Sequence, residues 1–335
     1  IEKIYIMFKK KPYIIAEIGS NHNGSFHKAK EIIDLAKKAG CSAVKFQSFQ
    51  NDLFCEEFYE KNKDISEQIN KYSLTLPEFK TLRKYAKSKK IDFGITIFSK
   101  NELSKIKKFK PNFIKIASMD LNNFQLLKDV SKLKINLIIS TGFSNYEEIK
   151  EAADIMKKNK KKNVVFLHCV GLYPVKPELI NLNSMEHLKL ITGYNVGWSD
   201  HYIGIKASEI AAIKGATVIE KHFTYNKKAK GWDHHISADL KDMRKLVSKI
   251  ELNSLILGQK KKIISKKETD LSKIMRRSIT IKKKLKANHI LKAKDLQFQR
   301  PGTGIEPKKI KKIIGMKLKR DLFKGTILRY EYLKN

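Results

Sequence analysis

Eight short apolar runs alternate with longer stretches of helical period along most of this chain. The runs are Tyr13–Ile18, Ser42–Gln47, Asp92–Ile97, Phe113–Ile116, Asn136–Ser140, Val164–His168, Asn195–Trp198 and Thr217–His222. Strands of a parallel sheet are covered on both faces and read as nearly continuous Val, Ile and Leu. Between most of them lie amphipathic stretches, such as Phe26–Ala39 and Glu147–Met156, with apolar residues at helical spacing. Eight strand–helix units in roughly 250 residues predict a closed (β/α)₈ barrel. A doubly wound open sheet is the alternative, but no Gly-x-Gly-x-x-Gly follows the first run.

Each run turns polar at its C-terminal end. Glu17 closes the first, Lys45 and Gln47 the second, Thr96 the third, and Lys115 and Ser118 the fourth. Ser140 and Thr141, His168, Ser199 and His201, and Glu220 and His222 close the rest. One such residue is ordinarily a satisfied buried polar group. Eight sets together predict an active site, because all these ends open on one face of a barrel.

The pattern changes after Gln259. Residues 1–259 are expected to form the barrel, 260–275 a basic linker, and 276–335 a small β-rich module. The module repeats itself: Leu285, Ile290, Leu291, Lys292 and Leu296 recur as Leu322, Ile327, Leu328, Arg329 and Leu333. Between the copies lies the turn-rich Arg300-Pro301-Gly302-Thr303-Gly304.

With 41% hydrophobic residues in 335, the chain can bury a large core. No apolar run approaches the roughly 20 residues that cross a bilayer, so no membrane association is expected. The net charge of +36 would suit nucleic acid, but the lysines are spread along the whole chain without an aromatic-interleaved motif. They read as solvated helix faces with some steering of anionic substrates, and no nucleic-acid partner is expected. Cys41, Cys55 and Cys169 have no metal-like spacing, and an odd number argues against a disulfide framework. A cytoplasmic location is expected. The first residues lack a basic segment followed by an apolar core, and the start is expected at Met7 or upstream.

Lys45 and Lys115, with the hydroxyls of Thr96, Ser118, Ser140 and Ser199, suit a phosphate or carboxylate. Lysines at strand ends can also simply reach solvent. His201 and His222, on neighbouring runs, could share one divalent metal, although their separation in sequence carries little weight. Glu17 could act as a general acid or base, or sit in a structural hydrogen bond.

Taken together the motifs resemble the N-acetylneuraminate (sialic acid) synthase family, which includes the legionaminate and pseudaminate synthases. They are Ile15-Ala16-Glu17-Ile18-Gly19-Ser20-Asn21-His22-Asn23-Gly24, Val44-Lys45-Phe46-Gln47, Ile114-Lys115-Ile116-Ala117-Ser118, Ser140-Thr141-Gly142, Ser199-Asp200-His201 and Glu220-Lys221-His222-Phe223. Gln299-Arg300-Pro301-Gly302 and Phe323-Lys324-Gly325 resemble that family's antifreeze-like (SAF) domain. The resemblance implies that His201 and His222 hold Mn²⁺, with Mg²⁺ or Co²⁺ as alternatives. It implies that Lys45, Gln47, Thr96, Lys115, Ser118, Ser140 and Ser199 bind phosphoenolpyruvate, with Glu17 beside the reacting carbons. Asp120, Tyr173 and Asp233 would place the sugar, and Arg300 would reach its acyl group from the partner of a homodimer with exchanged C-terminal domains. Three positions depart from the family pattern: Gly171 stands for Asn or Ser, Asp120 for Glu, and Ala229–His235 for Pro-Gly-Pro-Asp-His. A bulky Trp232 in that loop is expected to reshape the far end of the sugar pocket.

The implied activity is a sialic-acid-type synthase, a transferase of carbohydrate biosynthesis that joins phosphoenolpyruvate to an N-acylated mannosamine-type sugar. Legionaminate- or pseudaminate-type synthases, using a 6-deoxy diacylamino hexose, are the near alternative. Synthases of 3-deoxy-octulosonate or -heptulosonate, using a phosphorylated sugar, are a further one. A non-catalytic nucleic-acid-binding protein is the rival from a different class.

Overall fold

The computed structural model describes residues 11–49 and 53–335; the expected start at Met7 lies outside them. The chain divides into two compact units, at Gly258 and Gln259. In the first, eight parallel strands close a barrel in sequential order. They are β1 (Tyr13–Gly19), β2 (Ala43–Gln47), β3 (Asp92–Thr96), β4 (Phe113–Ile116), β5 (Asn136–Ser140), β6 (Val164–Cys169), β7 (Asn195–Asp200) and β8 (Val218–His222).

Helix boundaries follow local chemistry. Phe26–Ala39 starts where the Ser25 side chain accepts from Lys28 N, and stops at Gly40, whose φ of +89° is left-handed. Leu76–Ser88 and Tyr146–Lys158 each open on a capping box, Thr75 with Glu78 and Asn145 with Glu148. Two helices not foreseen, Glu56–Lys61 and Lys63–Tyr72, are inserted between β2 and the helix that returns to β3.

Side chains alternate along a strand, and that alternation builds the mouth. A buried apolar layer inside the barrel contains Tyr13, Ile15, Ala43, Phe113, Ile138, Val165, Leu167 and Val218. A Cβ on Gly94 would lie 2.1 Å from the Phe113 ring, so the large ring of β4 needs glycine on β3. Two residues beyond this layer on the same strands stand Glu17, Lys45, Lys115, Ser140, Cys169 and Glu220. The in-facing polar residues are therefore the continuation of the core's own period.

The second unit contains two antiparallel pairs. Strands β9 (Ser278–Ile281) and β10 (Leu296–Gln299) form one, and β11 (Lys317–Leu318) and β12 (Leu333–Lys334) the other. Its core includes Ile279, Ile281, Leu291, Ile313, Leu318 and Leu328. The sequence repeat is a structural repeat. Leu285 and Leu322 exchange backbone hydrogen bonds, each N–H donating to the other's carbonyl at 2.9 Å. Each copy ends in a one-turn 3₁₀ helix leading into a strand, at Ala293–Asp295 and at Tyr330–Tyr332. The segment expected as linker contains a helix, Lys266–Met275, capped where Ser265 accepts from Glu268 N. It has no buried residues, so apolar periodicity could not reveal it. Among the described residues no helix is long and apolar enough to cross a membrane.

Candidate active site

Strand register decides which residues meet. Glu17 of β1 is the lateral partner of both Lys45 on β2 and His222 on β8. Thr96 pairs with Gln47 and with Lys115, and Ser199 with Glu220. The result is a buried ion cluster. Lys45 Nζ lies 2.6 Å from Glu17 Oε2, 3.7 Å from Glu220 Oε2 and 2.7 Å from Thr96 Oγ1. Lys115 Nζ lies 3.3 Å from Glu220 Oε1, which also accepts from Ser199 Oγ at 2.8 Å. Gln47 Nε2 donates to Glu17 Oε1 at 2.9 Å.

The two carboxyls differ in state because they differ in partners. Burial pushes Glu17 up to about 7; Lys45 pulls against this, and the charge of Glu220 adds to it. Burial acts on Glu220 too, but Lys115, Lys45 and the Ser199 hydroxyl hold it at about 2. Burial also lowers the Lys115 ammonium, whereas Glu17 and Glu220 outweigh burial at Lys45 and raise it. One carboxyl is thus fixed as an anion while the other titrates near neutrality.

His201 and His222 face each other with ring centroids 5.5 Å apart. Val170 O accepts from His201 Nδ1 at 2.7 Å, which directs the lone pair to Nε2. His222 Nδ1 makes no hydrogen bond and lies 3.5 Å from Asp233 Oδ2. Burial holds the His222 imidazole well below its usual range, so it is neutral. Tyr173, 44% exposed, stacks on His201 at 3.9 Å. Among the described residues no group of three or more His, Cys, Asp or Glu side chains is arranged to hold a metal ion.

The remaining expected residues fall as follows. Ser118 Oγ accepts from Gly142 N at 3.0 Å, joining the turns after β4 and β5. Ser140 Oγ and Asp120 Oδ2 are buried without hydrogen-bond partners, and burial raises the Asp120 carboxyl to about 6. Arg300 belongs to the second unit, where its Nε donates to Met275 O at 2.6 Å. At Gly171 a Cβ would meet the Phe143 ring at 2.1 Å. The missing Asn or Ser side chain is therefore matched by an aromatic ring laid over the glycine. Trp232 precedes Asp233 in the loop after β8. Its ring packs edge-on against Phe49 and Tyr72, and its Nε1 donates to Gln68 at 2.6 Å, within an apolar cluster at helix Lys63–Tyr72.

Two residues had no role assigned from sequence. Glu220, named only among the polar strand ends, is the centre of the ion cluster. Cys169 Sγ lies 3.9 Å from His201 Nδ1; its distance in sequence from the other cysteines hid it. All three cysteines are free.

Behind the mouth, on the outer faces of β7 and β8, lies a second buried pair. Asp200 and Lys221 are register partners with Nζ and Oδ2 3.4 Å apart and no side-chain exposure. Asp200 also accepts from Ser208 Oγ and Tyr202 N, and Lys221 Nζ donates to Tyr202 O. Each member adjoins one histidine. Removing one partner of a buried pair costs about 3–5 kcal/mol. Lys221→Met is accordingly expected to lower the unfolding free energy by about that amount, read from the urea midpoint, and Lys221→Met/Asp200→Asn to recover part of it.

A closed parallel barrel with buried lysines, carboxylates and histidines gathered at its C-terminal mouth defines a (β/α)₈ enzyme. The chain belongs to the NeuB family: that family's model matches residues 32–262, and the SAF domain model matches residues 276–334. It is 34% identical to the N,N'-diacetyllegionaminic acid synthase of Legionella pneumophila subsp. pneumophila, over 96% of this chain and 94% of that one. It is 30% identical to a pseudaminic acid synthase of Campylobacter jejuni subsp. jejuni, over 96% of each. Among solved structures, the N-acetylneuraminic acid synthetase of Leptospira borgpetersenii matches with a TM-score of 0.72 at 34% identity, over 78% of this chain and 90% of that one. These relatives are synthases, and the chain is an enzyme of that kind.

Proposed function

We propose that the protein condenses phosphoenolpyruvate with the open-chain aldehyde of an N-acylated mannosamine-type sugar and releases phosphate by C–O cleavage. The observation that carries this reading is the Glu17–Lys45–Glu220–Lys115 cluster beside the His201–His222 pair. Lys45 and Lys115 supply fixed cations for the phosphate and carboxylate of phosphoenolpyruvate, with Gln47, Thr96, Ser118, Ser140 and Ser199 as neutral donors. Glu220 keeps both lysines in place before the anion arrives. C3 of phosphoenolpyruvate attacks the aldehyde carbon, and cationic character develops at C2. Water adds there, and the tetrahedral intermediate breaks its C2–O bond to phosphate, leaving the 2-keto acid. Both oxygens of Glu17 lie against donors, Lys45 and Gln47, so the ionised form fits the site. Glu17 then takes a proton from the water that adds at C2. Preorganised charge and position supply most of the rate.

A divalent metal, Mn²⁺ with Mg²⁺ or Co²⁺ as alternatives, suits the two histidines. Both have a ring nitrogen without a hydrogen bond to protein, and His222 is neutral. Bound there it would polarise the aldehyde oxygen. Asp120, with an unsatisfied buried oxygen, and Asp233 and Tyr173 at the histidines, suit the hydroxyls and amide of a sugar. In this reading Arg300 reaches the acyl group across a homodimer.

A 6-deoxy diacylamino hexose is the second reading, favoured by the identity shared with the legionaminic acid synthase along almost the whole chain. Phosphate release from phosphoenolpyruvate with a panel of mono- and diacylated amino sugars separates the two. Turnover only with a phosphorylated tetrose or pentose overturns both.

A further inference from the structure

Two features of the sequence stand outside the chemistry above: the Ser20-Asn21-His22-Asn23-Gly24 turn after β1, and Trp232. Both converge on the segment that follows β8. Asn21 Nδ2 donates to Phe223 O at 3.0 Å and to Ser237 Oγ at 2.9 Å, and Ser237 Oγ donates to Asp233 O at 2.6 Å. Asn23, in the left-handed region at φ +50°, donates through Nδ2 to Lys230 O at 2.9 Å. The carbonyl oxygen of its side chain accepts from His234 Nε2 at 3.2 Å, while His234 Nδ1 accepts from Thr224 Oγ1 at 2.7 Å. The approach is close enough to exclude a side chain at position 231, where a Cβ would lie 2.7 Å from His234 and 2.8 Å from Asn23. On the other side, Trp232 is held by Gln68, Phe49 and Tyr72.

Asp233 lies between these two anchorages, with its carboxylate turned to the mouth 3.5 Å from His222 Nδ1. Loops are ordinarily the least constrained part of a barrel, yet this one is tied on both flanks of a single acidic residue. We propose that the Asn21–Asn23 turn and Trp232 are positioning residues for Asp233, fixing its carboxylate against His222 and against the amino sugar. The assignment rests on the reading of the mouth as a sugar site. It gives Trp232 a role different from lining the pocket: the aromatic ring replaces the rigidity that a proline-rich loop would supply, by gripping the helix inserted after β2.

Residues that orient a group in direct contact with ligand typically change its performance about 10–100-fold when removed. Trp232→Ala and Asn23→Ala are each expected to raise the KM of the amino sugar by about that factor, with the KM of phosphoenolpyruvate unchanged. Trp232→Phe, which keeps a ring between Phe49 and Tyr72, is expected to restore most of the loss. In an Asp233→Asn background, Trp232→Ala should add nothing, since its effect passes through that carboxylate. A readout independent of turnover comes from the His222 ring nitrogens, followed by NMR in the protein without substrate. Asp233→Asn is expected to shift them, and Trp232→Ala to reproduce the shift. Full additivity of the two substitutions, equal rises in both KM values, or His222 resonances unmoved by Trp232→Ala would each overturn the assignment. If the wild-type chain turned over no amino sugar, the proposed function would fall, while the His222 resonances would still decide whether Trp232 positions Asp233.

Discussion

Glu17→Gln is expected to lower kcat/KM by about 10²–10⁴-fold, the usual contribution of a placed general base, and to change the pH profile. The wild-type carboxyl sits near pH 7 because burial and the neighbouring Glu220 anion outweigh the pull of Lys45. Its basic form is lost as pH falls through that value, so kcat/KM should decline below pH 7. The amide cannot ionise, so that limb should vanish in the variant. The same shift bears on stability with a definite sign. A carboxyl raised from 4.5 to about 7 favours the protonated folded state, so its stabilising contribution is complete below pH 4.5 and is lost as pH rises through 7. An acid limb near pH 7 that survived in Glu17→Gln would assign the titration to another group.

His222→Ala is expected to reduce kcat by at least about 10²–10³-fold, the loss typical of one preorganised electrostatic contact in a closed site. His222 lies beside Glu17 in the register and opposite His201, so its removal leaves one imidazole where two faced each other. Titration of Mn²⁺ into the substrate-free protein checks the same point without turnover: wild type should bind, and His222→Ala should bind much more weakly. Near-normal turnover after chelation and metal resupply would remove the histidine pair from the mechanism.

The barrel was legible because its signal is repeated eight times, and each repeat carries the same two pieces of information. Apolar continuity marked the strands, whose observed ends differ from the expected ones by at most two residues. Polar ends marked the mouth, and the strand period of two turned Ile15 and Glu17, or Ala43 and Lys45, into core and site on one face. What stayed hidden depends on contacts distant in sequence. The packing of Trp232 was hidden because nothing local shows that Gln68 and Tyr72 stand across from it. Glu220 read as one more polar strand end because its importance comes from two lysines on other strands. Helix Lys266–Met275 has no apolar face in contact with a core, and its one local sign was the Ser265–Glu268 cap. Asn21 and Asn23 belong to the motif after β1, yet their partners lie about 200 residues away.

The central claim is that carbon–carbon bond formation is coupled to C–O cleavage of phosphoenolpyruvate. Phosphoenolpyruvate labelled with ¹⁸O at the bridging oxygen tests it directly, with an N-acylated amino sugar, Mn²⁺ and the wild-type chain. If C2–O breaks, the label leaves entirely with inorganic phosphate and the 2-keto oxygen of the nonulosonate comes from water. Label retained in the sugar acid would show P–O cleavage and contradict the mechanism, and phosphoenolpyruvate left unconsumed across the whole amino-sugar panel would contradict the function itself.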